Sequence, residues 1–193
     1  MEAGLYPWGG RYVEGDPTSP VAVVTLSEEI ELPEKTVALY GNMKTENLGV
    51  EKVVANIVSN PNIRFLIIAG SEVRGHKSGE SLMCLHKNGL DSNNRVVGAR
   101  SAIPFIENLP HDAIDRFKKQ VKVVDLIGVT DAKKIMDAVT ECAGKNPGSF
   151  GQPMIVEHVA KDKVVEVFHT EYALHSKVDV DLYGVVSPAP EAQ

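Results

Sequence analysis

Apolar and polar positions along this chain fall into two alternating periods. Val21 to Leu26 (VAVVTL) is a short, β-branched, continuously apolar run, the pattern of a strand covered on both faces. Thr36 to Tyr40 reads as a second strand. Val50, Val53, Val54, Ile57 and Val58 then fall at helical spacing and form one stripe. Thr45 suits the cap of that helix, and Glu46 complements its positive N-terminal end. Asn60-Pro61 stops it. Ile63 to Ile68 (IRFLII) is the strongest strand pattern in the chain, and Gly70 ends it.

The middle repeats the alternation. Ser78 is expected to cap a second helix carrying Leu82, Leu85 and Leu90 or a neighbour, closed by Asn88-Gly89. Asp91 to Asn94 reads as a turn, Val96-Val97 as a short strand, and Ala99 to Pro110 as an irregular loop. A third helix turns Ile114, Phe117 and Val121 inward, with Lys118 and Lys119 on its solvated face. Val123 to Ile127 is a strand. Thr130 then begins a helix with Ile135, Met136, Val139 and Cys142 on one face, ended by Gly144. The C-terminal part differs. Met154 to Val159, Val164 to Phe168 and Val178 to Tyr183 read as strands, with a hairpin turn at Lys161-Asp162. The expected fold is therefore α/β and Rossmann-like, a mostly parallel sheet with flanking helices plus C-terminal antiparallel strands. One domain over residues 1–186 is expected, with 151–186 as a β extension and 187–193 as a flexible tail.

Composition narrows the function classes. The 193 residues are 43% hydrophobic and 24% charged, the usage of an ordinary globular protein. A net charge of −6 argues against sequence-independent binding to nucleic acid or anionic lipid, both of which need surplus Lys and Arg. Two cysteines, Cys84 and Cys142, are too few for a disulfide framework and suit a reducing cytoplasm. The N-terminus lacks a basic segment followed by an apolar one, and no apolar run approaches the ~20 residues of a bilayer span.

Ligands of open α/β sheets bind beyond the carboxyl ends of the strands. Three segments fit that place. The first holds Thr45, Glu46, Asn47 and Leu48 at the start of a helix. The second runs from Gly70 to Ser81 and sets Glu72, Gly75, His76 and Gly79 between a strand and a helix. The third holds Ser101, Ala102, Ile103, Pro104 and Phe105. Glycines permit close backbone approach to a ligand. Their spacing here matches neither the dinucleotide fingerprint nor a phosphate loop, although a nucleotide-binding α/β enzyme stays open as an alternative. His76-Lys77-Ser78-Gly79 shares its His-x-x-Gly core with the Asp-x-His-x-x-Gly loop of base-off cobalamin carriers, but Arg74 stands at the Asp position.

Taken together, the run KTENLGVEKVVANIVSNPNIRFLIIAGSEVRGHKSGES, then GARSAIPFIEN and VDLIGVTD, strongly resembles the A subunit of the tetrahydromethanopterin S-methyltransferase complex of methanogens. GDPTSPVAVVTL resembles it too, so the likeness covers about residues 8–145. The resemblance implies a cobamide (5-hydroxybenzimidazolylcobamide or cobalamin) methyl carrier. In that family a methyl group passes from methyl-tetrahydromethanopterin to cobalt and on to coenzyme M, coupled to sodium export. It places the axial cobalt ligand on His76 and implies other methyltransferase subunits as partners. A homodimer is compatible with it. Ser81 and the residues of the three segments named above become corrinoid contacts. Full-length family members carry a C-terminal membrane helix absent from this sequence, so a cytoplasmic domain or free-standing homologue is expected, with an assembly or sensor module as the alternative role.

A metal-bound imidazole needs its other ring nitrogen held. With no Asp two residues upstream, Glu72, Glu80 or a backbone carbonyl is expected to hold it, Glu72 a little ahead. His86, His111, His158, His169 and His175 carry no ligand pattern. His86 and Cys84, two residues apart on one helix, point away from each other. Trp8 is expected to pack the N-terminal segment onto the domain.

Overall fold

The computed structural model describes residues 5–157, 178–180 and 186–188. The chain divides into two compact units, Met1–Val159 and Ala160–Gln193. The first unit holds β1 (Tyr12–Glu14), β2 (Val21–Thr25), β3 (Leu39–Asn42), α1 (Leu48–Ser59), β4 (Phe65–Gly70), α2 (Ser78–Asn88), α3 (His111–Gln120), β5 (Lys122–Ile127) and α4 (Ala132–Gly144). Its sheet has the order β1-β3-β2-β4-β5. All neighbours run parallel except β1, which pairs antiparallel with β3.

The continuous apolar runs of β2 and β4 are explained by cover on both faces. Ala22, Val24, Leu66 and Ile68 pack into one core with the apolar stripes of α1, α2 and α3. Val21, Val23, Phe65 and Ile67 pack on the other face with Ile135, Val139 and Cys142 of α4. The chain leaves β2 toward β3 and leaves β4 toward β5, in opposite directions along the sheet. The crevice between these two carboxyl ends is the place where such sheets bind ligands. The segment carrying His76 leaves from there, directly after β4.

Several boundaries differ from the sequence reading for local reasons. The expected strand at Thr36–Tyr40 is displaced to Leu39–Asn42, because Glu34–Thr36 winds into a short 3-10 turn. Gly41 then sits against β1, where a Cβ would lie 2.6 Å from the Arg11 carbonyl oxygen. Neither β1 nor this tolerance for a close neighbour carries a hydrophobic signal. β4 begins at Phe65 rather than Ile63. The cap of α1 is Asn47, whose side chain accepts from the Leu48 N–H, while Thr45 Oγ1 accepts from Gly49 N. Ser78 is the first residue of α2 rather than its cap, Lys77 taking that position with φ 44°. Leu90 lies beyond α2 and bridges Val96. Asp131, not Thr130, caps α4 by accepting from Lys133 N and Lys134 N.

The expected strand at Met154–Val159 is not formed over its described residues, 154–157. Those residues lie as a strap instead. Met154 N donates to Val58 O, and the Val156 carbonyl accepts from Trp8 Nε1 at 2.8 Å. Val164–Phe168 and the Lys161-Asp162 turn lie outside the described residues. In the second unit β6 (Val178–Val180) pairs antiparallel with β7 (Val186–Pro188), so β6 opens the last expected strand and β7 runs into the segment read as a tail. No helix among the described residues is long and apolar enough to cross a membrane.

Trp8 is 1% exposed and ties three parts of the first unit together. Its backbone N–H donates to Asn56 Oδ1 on α1, its carbonyl accepts from Asn56 Nδ2, and its indole N–H reaches the 154–157 strap. Trp8→Phe keeps most of the apolar volume but leaves the buried Val156 carbonyl without its donor. The expected loss is about 1–3 kcal/mol of unfolding free energy, measured by urea denaturation; an unchanged midpoint would show the strap to be independent of the indole.

Candidate functional site

The three segments expected at the ligand end meet on one carboxylate. Glu46, on the connection from β3 to α1, is 2% exposed. Its Oε2 lies 2.8 Å from His76 Nδ1, and its Oε1 accepts from the Ile103 backbone N–H at 2.9 Å. One side chain thus joins the start of α1, the loop after β4 and the 99–110 loop. Burial by itself raises the Glu46 pKa. The N–H groups of Glu46 and Ile103 and the His76 imidazole outweigh it and hold the group below the ordinary glutamate range.

His76 itself is half exposed, with a side-chain exposure of 51% against 3% for Glu46. Its backbone is set by a tight turn in which His76 N and Lys77 N both donate to the Val73 carbonyl. Gly75 at φ 84° and Lys77 at φ 44° make the turn left-handed on either side of the histidine. Lys77 occupies a region that few non-glycine residues adopt. With Nδ1 facing a carboxylate, the neutral imidazole carries its proton there and leaves the Nε2 lone pair free.

The carboxylate against the imidazole is therefore Glu46, and the expected Glu72 does different work. Glu72 Oε2 accepts from Gly79 N at 3.1 Å and its Oε1 from Glu80 N at 2.6 Å, capping α2 in place of a serine. Glu80 is engaged by Arg100, with two guanidinium contacts of 2.9 and 2.7 Å. The Arg100 hydrogen bonds outweigh burial and hold the Glu80 carboxyl low.

The remaining candidates divide by exposure. Leu48 and Ile103 are large apolar side chains, 44% and 56% exposed, and with exposed Ala102 they give the site an apolar surface. Ser81 and Ser101 are buried, their hydroxyls 2.7 Å apart, and tie α2 to the 99–110 loop. Pro104 is buried, and Arg95 stacks over the Phe105 ring at 5.5 Å. Asn47 and Thr45 use their side-chain oxygens on the first turn of α1. Gly70, at φ +92°, would place a Cβ 2.7 Å from Glu28 Oε2, the oxygen that accepts from Ser71 N. At Gly79 a Cβ would lie 2.8 Å from Leu26 Cδ1.

One residue of the site has no counterpart in the sequence reading. Glu51, 1% exposed, accepts from Glu107 N, Asn108 N and Asn108 Nδ2 at 2.6, 2.9 and 2.8 Å. It anchors the far end of the same loop that Glu46 anchors at Ile103. Its only sequence signal is an acidic residue beside the apolar stripe of α1, which looks like any first-turn glutamate. Among the described residues no three His, Cys, Asp or Glu side chains gather as a metal site.

The family model for the A subunit of tetrahydromethanopterin S-methyltransferase matches residues 4–166. The chain is 53% identical over 150 residues to the tetrahydromethanopterin S-methyltransferase A 1 subunit of Methanothermobacter thermautotrophicus, covering 76% of this chain and 63% of that protein. It is 51% identical over 153 residues to the A 1 subunit of Methanobrevibacter ruminantium, covering 78% and 62%. The A 2 subunit of that organism is 47% identical over 157 residues, covering 80% and 81%. The chain thus spans less than two thirds of the length of these A 1 relatives.

Because the folded-state pKa of Glu46 is depressed, its contribution is complete above the unfolded-state value of about 4.3 and is lost as pH falls through the lower folded-state value. Glu46→Gln should therefore flatten the acid limb of a pH–stability curve. At neutral pH it should speed amide exchange at Ile103 by roughly tenfold, the worth of one charge-assisted hydrogen bond. Urea unfolding at a series of pH values checks the first and hydrogen exchange read by NMR the second; unchanged Ile103 protection would show the loop to be held without Glu46.

Proposed function

The chain belongs to the family of tetrahydromethanopterin S-methyltransferase A subunits, and from that premise we propose that it carries a cobamide with His76 as the protein's axial ligand to cobalt. The observation behind the assignment is the Glu46–His76 pair. A buried carboxylate on Nδ1 fixes the tautomer, orients the ring and raises the basicity of Nε2, the second-sphere arrangement that metal-bound histidines use. Leu48, Ala102 and Ile103, on the segments that Glu46 joins, are apolar and exposed, as a surface covered by a large flat ring would be. A corrin would bring to the metal the further ligands that the described residues do not gather. When bound, the cobalt would supply the nucleophile and leaving group for methyl transfer.

The residues of this chain then have distinct tasks. Glu46 takes the Nδ1 proton as a hydrogen-bond acceptor and keeps it off Nε2. Gly75 and Lys77 hold the turn that presents the ring, and the apolar side chains keep water from the covered face. Leu48 opens α1 and Ile103 lies in the 99–110 loop, and Glu46 joins the two segments. On this reading the protein is one component of a methyltransferase. It would take a methyl group from methyl-tetrahydromethanopterin and deliver it to coenzyme M with the help of the other subunits.

The test is an EPR spectrum of cob(II)alamin bound to protein labelled with nitrogen-15 histidine and freed of excess cofactor. A two-line nitrogen splitting that disappears in His76→Ala is the expected result. A three-line splitting would put the cofactor's own base on cobalt, and no cobalt in the protein peak would remove the cofactor altogether. Glu46→Gln gives an independent check. If the carbonyl of the new amide accepts from Nδ1–H, its NH2 opposes the Ile103 N–H. If the amide turns over, its NH2 faces Nδ1 and the ring proton moves to Nε2, the ligating nitrogen. Either way cobalamin affinity should fall about 10–100-fold, measured by equilibrium dialysis.

A further inference from the structure

Residues 94–106 make a small hairpin of their own. Val96 N donates to the Pro104 carbonyl, Ile106 N donates to the Asn94 carbonyl, and Arg95 bridges Phe105. The outgoing arm and the tip are fastened to α2. Val97 N donates to the Gly89 carbonyl at the end of that helix, and Asn88 Nδ2 donates to the Val97 carbonyl. Arg100 grips Glu80, and the Ser101 hydroxyl meets that of Ser81. The return arm is fastened instead to the chain around the first turn of α1. Glu46 takes the Ile103 N–H at the head of the arm, and Glu51 takes Glu107 N, Asn108 N and Asn108 Nδ2 where the chain leaves it. The hairpin thus spans from the helix that follows His76 to the helix that Leu48 begins, and it carries exposed Ala102 and Ile103 between them.

Glu51 serves this span alone. At 1% exposure it cannot touch a ligand, and among the described residues every donor on its carboxylate belongs to Glu107 or Asn108. A carboxylate withdrawn from water is costly unless its lone pairs are met, and a leucine at this position of α1 would be buried without that cost. What the leucine would lose is the acceptor for two backbone N–H groups. Toward α1, Glu46 by itself pins the return arm at one point. Glu51 adds a second point at the opposite end and so fixes the direction in which the arm lies. A surface that must meet a rigid ring gains from being fixed beforehand, because apparent affinity falls with the fraction of time it is out of place.

We propose that Glu51 is a positioning residue for the corrinoid: without touching ring or cobalt, it fixes the return arm so that Ala102 and Ile103 lie where the face of the ring comes down. The proposal rests on the cobamide reading and divides the work of the two glutamates. Glu46 serves the imidazole and the apolar bed together. Glu51 serves the bed alone, so its loss weakens binding and leaves the cobalt–nitrogen bond as it was.

The test compares Glu51→Leu with the wild-type chain. Equilibrium dialysis against cob(II)alamin gives affinity, EPR of the nitrogen-15 histidine protein at saturating cofactor gives the axial bond, and hydrogen exchange read by mass spectrometry gives the order of the arm. Circular dichroism melting shows that each variant is folded. Glu51→Leu should bind about tenfold more weakly, keep the two-line nitrogen splitting once saturated, and exchange faster over residues 101–109. Bound cofactor should slow that exchange again, since a ring favoured by an ordered arm must favour the ordered arm by the same factor. Glu51→Gln keeps an oxygen for both backbone N–H groups, and the exposed Asn108 amide can turn its own oxygen to the new NH2. Affinity should then return to within about threefold of wild type. Asn108→Asp, at an exposed position, sets a carboxylate against Glu51 and should weaken binding in the same sense; it decides the matter if Glu51→Leu does not fold. Unchanged affinity in the folded variant, loss of the two-line splitting, or exchange that the cofactor does not slow would overturn the proposal while the cobamide reading stands. A wild-type chain that binds no cob(II)alamin removes both.

Discussion

The site depends on one buried carboxylate and the donors that satisfy it. Removing a charged oxygen pair from water is costly unless nearly every lone pair is met. Glu46 is almost inaccessible, so its own backbone N–H, the Ile103 amide and His76 are the conditions on which it stays charged there. The dependence runs both ways. The loop after β4 and the 99–110 loop each have anchors of their own, and these two oxygens are where the one is joined to the other. An imidazole at the surface, two exposed apolar side chains and the start of α1 are thereby held as one object.

The same device recurs around it. Backbone N–H groups in loops need acceptors that no strand or helix supplies. At this end of the sheet glutamates provide them. Glu28 accepts from Ser71 N, Glu72 from the first amides of α2, and Glu51 from Glu107 and Asn108. With Glu46, four carboxylates therefore fix the loops that follow β4 and α2, and this is where part of the chain's acidic surplus is placed. The crevice between β2 and β4 sets where those loops emerge, and the glutamates set how they lie. Gly70 and Gly79 leave the space the carboxylates and Leu26 need.

What could be read from the sequence follows from the range of each interaction. The α/β alternation was legible because the core is built from local periods: the stripe of Val50, Val54, Ile57 and Val58 and the continuous runs of β2 and β4 each announce themselves within a few residues. The three ligand-side segments were legible for a related reason, since a strand's end and a helix's start are both local signals. Boundaries failed where a tertiary partner decided them. β3 moved to Leu39–Asn42 because β1 pairs there, and the 154–157 strap replaced a strand because Trp8 and Val58 claim its polar groups. The imidazole's partner was invisible in the same way. Glu72 is four residues from His76 and Glu46 is thirty, and proximity in sequence favoured the wrong one. Nothing in the letters distinguishes a glutamate that caps a helix from one that crosses to another loop.

Geometry at His76 combines a fixed proton with a nearly free surface. The ring is held through Nδ1 and through a turn containing two left-handed residues, yet half of it remains exposed. A histidine ligand buried on both sides would bind more rigidly but could accept no large planar group. One exposed wholly to water would lose its tautomer preference. The arrangement here separates the two demands: electrostatic order comes from beneath, out of water, and access comes from above.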